Sequence, residues 1–182
     1  MYHEQIISIT EKIIQDFGNL DSNQLNWKHS DKSWSIGQCF DHLIRTNEQY
    51  MNKLYSVNAK DFRMSFWEKF NPLTDYTGKS LIQSLGEIVS KKYINPKLFA
   101  PVVGCVRPDI IQVFVNHQEK LKDLFRNIEE NGHLQKVISS PVAPLITLRI
   151  SDSLQLIVEH EKRHVRQAKN VLESVVFTGF QR

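Results

Sequence analysis

His160 and His164 stand four residues apart in the run Leu154-Gln155-Leu156-Ile157-Val158-Glu159-His160-Glu161-Lys162-Arg163-His164-Val165-Arg166-Gln167. On a helix that spacing stacks two side chains one turn apart on the same face. Ser153, Ile157, His160, His164, Ala168 and Val171 then form one stripe, with Leu156 and Gln167 beside it. The stripe is the apolar side of the pattern. Two imidazoles so placed can share one metal ion, and a third ligand from elsewhere would complete an open, catalytic-type site.

The segment His160-Glu161-Lys162-Arg163-His164 also spells the HExxH pattern of zinc proteases, whose glutamate acts as base. No third ligand follows at the metzincin spacing. Helical phase turns Glu161 well off the histidine stripe, so it is not assigned as the base and the protease reading ranks low. Two histidines compete to be the third ligand. His42, in Cys39-Phe40-Asp41-His42-Leu43, sits at the margin of an apolar arc, on the side shared by Cys39 and Thr46. His117 falls inside an apolar arc of its own, where a satisfied core histidine is the simpler reading. His3, His29 and His133 lie in the terminus and in loops. Cys39 is either a nucleophile beside His42 or a small buried hydrophobe, and the second is the simpler reading. Trp34 reads as a packing anchor. Arg163 and Arg166 read as a solvated pair, with steering of an anionic substrate as the alternative.

The elements that must carry these residues are helical. Ile6, Ile9, Ile13 and Phe17 predict a first helix from about Glu4 to Phe17, stopped at Gly18. A polar linker, Asn19 to Lys32, holds Trp27. Ser35 with Gln38 three residues on reads as a capping box, and Ile36, Phe40, Leu43, Asn47, Met51 and Leu54 carry a second helix to about Val57. The stretch from Asp61 to Thr77 is irregular and rich in aromatics (Phe62, Phe66, Trp67, Phe70). A short helical piece is expected from about Ser80 to Lys92. Asn95 to Gly104 reads as a loop packed over one end of the helices, in the manner of a lid. A third long helix begins near Pro108, a residue suited to a first turn, and Asn131-Gly132 closes it. Pro141 and Pro144 interrupt the connection that follows. The fourth helix runs from near Ser151 to about Ser174. No convincing strand alternation is visible. Four long helices with one apolar face each predict an all-α four-helix bundle.

The totals agree. A chain of 182 residues with 41% hydrophobic content suffices for one core and one domain over residues 1–182. A net charge of +3, with Lys91-Lys92 and Lys162-Arg163 short and separated, argues against a nucleic-acid partner. No apolar run approaches the roughly 20 residues that span a bilayer, so no membrane partner is expected. Met1-Tyr2-His3-Glu4-Gln5 is polar and resembles no secretory signal. The expectation is a cytoplasmic protein with Cys39 and Cys105 as free thiols.

Together, Trp34-Ser35-Ile36-Gly37-Gln38, His42-Leu43, Ser140-Pro141 and His160-Glu161-Lys162-Arg163-His164 with Gln167 resemble the DinB/YfiT-like superfamily, over nearly the whole chain to about Leu172. The resemblance implies an up-down-down-up bundle, often a homodimer. It implies a divalent metal ion, zinc or nickel, held by His42 from the second helix and His160 and His164 from the last, which demotes His117. Members of this family include thiol transferases that use bacillithiol or mycothiol, a maleylpyruvate isomerase, and many proteins labelled metal-dependent hydrolases. The leading expectation is therefore an enzyme, a low-molecular-weight-thiol S-transferase acting on small electrophiles, with Gln167 orienting a ligand or substrate. The alternatives are a metal-dependent hydrolase and a non-catalytic binding module with a structural or vestigial metal. The Phe62 to Phe70 segment matches no part of the family pattern.

Overall fold

Apolar residues at three- and four-residue steps bury one stripe of each long helix, and four such stripes meet in one core. The computed structural model describes residues 1–59, 61–85, 99–141 and 143–177. The chain is mostly helical. In order it forms α1 (Tyr2–Phe17), α2 (Ser22–Asn26), α3 (Ile36–Val57), α4 (Phe66–Phe70), α5 (Thr74–Ser84), α6 (Ile110–Glu130), a 3-10 turn at His133–Gln135, β1 (Val137–Ser139), β2 (Thr147–Arg149) and α7 (Ile150–Phe177). Helix α1 packs on α6 and α7, and α3 packs on α6 and α7. Among the described residues no helix is long and apolar enough to cross a membrane.

The long helices lie where the periodicity predicts. Helix α1 buries Ile6, Ile9, Ile13 and Phe17 and starts two residues early, where the Met1 ammonium donates to Glu4 at 2.9 Å. The Ser35–Gln38 box caps α3: the Gln38 amide donates to Ser35 Oγ and the Ser35 amide to Gln38 Oε1, both at 3.2 Å. Helix α6 ends at Asn131-Gly132, where Gly132 takes φ 68°, the left-handed turn that a glycine makes without strain.

Three features depart from the sequence reading. The polar linker contains α2, capped by Asp21 and Gln24; five residues are too few to show a period. The expected helix near Ser80 begins earlier, at Thr74, and residues 86–92 lie outside the described residues. The connection to the last helix holds a two-stranded antiparallel ladder, with Val137 opposite Arg149, Ile138 opposite Leu148 and Ser139 opposite Thr147. Three-residue strands give alternation no room to appear in a sequence. Ile138 and Leu148 point into the core.

The small elements form a plug against the side of the bundle. Helix α5 packs on β2 and α7. Buried Thr147 accepts from Asn71 Nδ2 at 2.9 Å and contacts Thr74 Oγ1 at 2.7 Å. The aromatic segment divides: Phe66 and Phe70 are exposed on α4, while Phe62 packs partly on the core.

Candidate metal centre

Helix α3 supplies His42 and α7 supplies His160 and His164, and the three rings converge from 118 residues apart in the chain. Ring centroids are 5.0 Å apart for His42–His160, 4.5 Å for His42–His164 and 4.6 Å for His160–His164. One nitrogen from each lies within 4.8 Å of the other two. The Nε2 atoms of His42 and His160 are 3.1 Å apart. Two nitrogens sharing one ion at about 2.0–2.1 Å stand about 3–3.5 Å apart, so this pair already has the separation of two ligands.

The protein fixes the tautomer of one ring. His42 Nδ1 donates to the backbone carbonyl of Phe99, which leaves its Nε2 lone pair directed at the other rings. That carbonyl is held in place by α3 itself. The Asp41 carboxylate accepts from the Val102 amide at 2.8 Å, and Gln38 Nε2 donates to the carbonyls of Val102 (2.8 Å) and Gly104 (3.3 Å). Gly37 is required for the approach, because a Cβ there would lie 2.2 Å from Val106 Cγ2. The Trp-Ser-Ile-Gly-Gln motif thus caps α3, admits the 99–106 segment and ties it down. Of the expected lid over residues 95–104, only 99–104 fall within the described residues.

Burial sets the protonation. It lowers the pKa of His42, sends that of His160 well below the ordinary histidine value and pushes that of His164 down to about 3. Neighbouring positive charge adds to this: His164, His42 and Arg163 act on His160, and His42 and Arg163 on His164. Gln167 acts the opposite way on His164. At neutral pH the three rings are uncharged, the form in which imidazole binds metal. The buried Nδ1 atoms of His160 and His164 have no partner among the described residues. A set of three neutral imidazoles with unspent lone pairs fits a divalent transition metal.

Trp34, read from sequence as a packing anchor, is a wall of this site. Its ring stacks on His164 at 5.5 Å and 18° and tilts against His42 at 4.8 Å. Arg163 lines the adjoining cleft and donates to the Ser84 carbonyl at 3.4 Å, whereas Arg166 is exposed. Gln167 lines the same cleft beside His164.

The other candidates lie elsewhere. Glu161 is fully buried and lines neither cleft that opens on the imidazoles. Its Oε1 accepts from Asn47 Nδ2 at 2.7 Å and Gln118 Nε2 at 2.8 Å, and burial pushes its pKa up to about 7. His117 is buried in α6 apart from the cluster, its Nε2 has no partner among the described residues, and burial pushes its pKa down to about 4. The "satisfied" part of the core-histidine reading is therefore corrected. Cys39 is enclosed in the core, and burial pushes its thiol up to about 12, which removes it as a nucleophile.

A mostly helical protein that gathers three histidines from two long helices into one cluster belongs to the class of helix-bundle proteins able to hold a metal ion. Residues 8–168 match the family model of the DinB superfamily, and the chain belongs to that superfamily. No curated protein and no solved structure matches the chain.

Proposed function

We propose that this protein is a metal-dependent enzyme that binds one divalent ion, zinc or nickel, on His42, His160 and His164 and transfers a low-molecular-weight thiol to a small electrophile. The observation that carries the reading is the convergence of three desolvated, neutral imidazoles, without a carboxylate, on the floor of open clefts. Bound there, a divalent ion would lower the pKa of a water or thiol that it holds. No carboxylate lines either cleft among the described residues, so activation of a water or a thiol there would rest on the metal. A thiol, with an ordinary pKa near 8.5 against 15.7 for water, needs far less help. This favours thiol transfer over hydrolysis. In the transfer, sulfur bonds to the electrophilic carbon, the leaving group departs with its electron pair, and the thiol proton passes to solvent. The chain's own part is to hold the rings: the Phe99 carbonyl orients His42, Trp34 backs His42 and His164, and Gln167 stands where it can orient a ligand.

The reading includes one domain over residues 1–182, the four long helices in up-down-down-up order, a homodimer, and a cytoplasmic location. The purified protein should carry one equivalent of divalent metal by elemental analysis. A His160→Ala/His164→Ala double variant should lose it while keeping its helical circular dichroism. A wild type that folds yet takes up no divalent metal refutes the reading. Metal binding without turnover across panels of thiols and electrophiles refutes the transferase step alone.

A further inference from the structure

Two clefts of opposite character reach the histidine cluster and share His160, Ser84 and Leu85. The larger, about 710 Å³, is lined by His29, Lys32, Arg163, His164 and Gln167 among others. Among the described residues it contains two permanent cations and no carboxylate. Neither Lys32 nor Arg163 has an ion-pair partner among the described residues. Leaving two cations uncompensated in one concavity focuses positive potential there, which favours an anion. The smaller cleft, about 270 Å³, is walled by Tyr50, Leu81, Phe99, Ile146, Leu156 and Ile157 and contains no charged residue among the described residues. Its floor is His42 and His160. A cavity of this size and lining favours a small uncharged apolar group.

We propose that these clefts are two subsites of one reaction: the basic cleft holds a thiol bearing a carboxylate, the apolar chamber holds an uncharged hydrophobic electrophile, and their reacting ends meet at His160. The assignment rests on the transferase reading and adds the chemical class of each substrate. Arg163 is the principal anion contact. It is half-buried and tethered through the Ser84 carbonyl, so its guanidinium is held at the junction of the two clefts. Lys32 is exposed at the rim and acts by steering.

Inert thioethers separate this from the reaction itself, because they mimic a joined product and cannot turn over. The probes are S-hexyl and S-methyl 3-mercaptopropionate and the neutral S-hexyl 2-mercaptoethanol, titrated calorimetrically into the metal-loaded protein. The hexyl acid should bind at least about thirtyfold tighter than the methyl acid, the gain expected when about half of its extra methylenes are buried at about fourfold each. Arg163→Gln should weaken the hexyl acid about tenfold and leave the neutral thioether within a factor of two. Ala143→Phe, which fills the apolar chamber, should remove the gain from chain length and spare the methyl acid. Equal affinity for acid and neutral thioethers, indifference to chain length, or no binding of any probe overturns the proposal. The expected binding pattern without turnover of any thiol keeps the two subsites and removes only the transfer step.

Discussion

Replacing His117 by leucine should make the protein less sensitive to acid without touching the metal centre. His117 is 7% exposed, and burial with nearby Lys120 pushes its pKa down to about 4, against about 6.5 in an unfolded chain. The unfolded state therefore holds the extra proton between these values, and stability falls as pH drops from about 6.5 toward 4. At pH 4.5 the linkage amounts to about 2.5 kcal/mol, and it vanishes above pH 7.5. The ring's Nε2 is buried without a partner among the described residues, so leucine strands no donor or acceptor and should equal or exceed the wild type at pH 7.5. Urea unfolding of the metal-free proteins at pH 7.5 and 4.5 measures this. Both proteins lose stability in acid because His42, His160 and His164 are also held neutral, but the wild type should lose about 2.5 kcal/mol more. The variant should retain its full metal content. Parallel losses for the two proteins would show that His117 is not held neutral by the fold. A drop in bound metal would place it in the site after all.

Other substitutions test the supports of the site. Gly37→Ala should destabilise by about 1–3 kcal/mol because the new methyl meets Val106 and the Leu25 carbonyl in a packed core. Gly78→Ala should cost less than Gly37→Ala, within about 1 kcal/mol of the wild type, because most of its obstacle is the partly exposed Asp152 carboxylate, which can swing aside, while the Asp152 Cβ at 3.1 Å must give only slightly. Urea midpoints showing equal effects would refute the distinction. Glu161→Gln should retain the metal-dependent activity in full, since Glu161 lines neither cleft, and a large fall in kcat would reinstate it as a base. Glu161→Leu should cost about 1–3 kcal/mol for each of the Asn47 and Gln118 amides left without an acceptor, read from thermal unfolding against the glutamine variant.

Much of the frame was legible because long helices repeat their signal. Four turns of Ile and Phe mark α1, and the Ser35–Gln38 box places the start of α3 to the residue. The HxxxH pair was legible because both rings share one helix. His42 was not separable from His117 by pattern alone: both sit on amphipathic helices, and only their phase in three dimensions tells them apart. The family resemblance supplied that choice. The Phe99 carbonyl could not be read at all, since a backbone oxygen carries no side-chain signature. Trp34 was legible as a packing residue, and it does pack on the core, but an aromatic before a cap does not announce that it also backs two imidazoles. The β1–β2 ladder escaped because tertiary burial of Ile138 and Leu148, rather than any local period, makes it.

The buried Glu161 has a mechanical consequence. It lines neither cleft and grips Asn47 of α3 and Gln118 of α6, while His160 and His164 leave the same helix toward the site. Any roll of α7 about its long axis would tear both amide bonds before the imidazoles had moved far. The carboxylate works as a key in a keyway, so the aim of two rings is set by a joint in the interior, and Asn47 carries that joint to the wall of the smaller cleft.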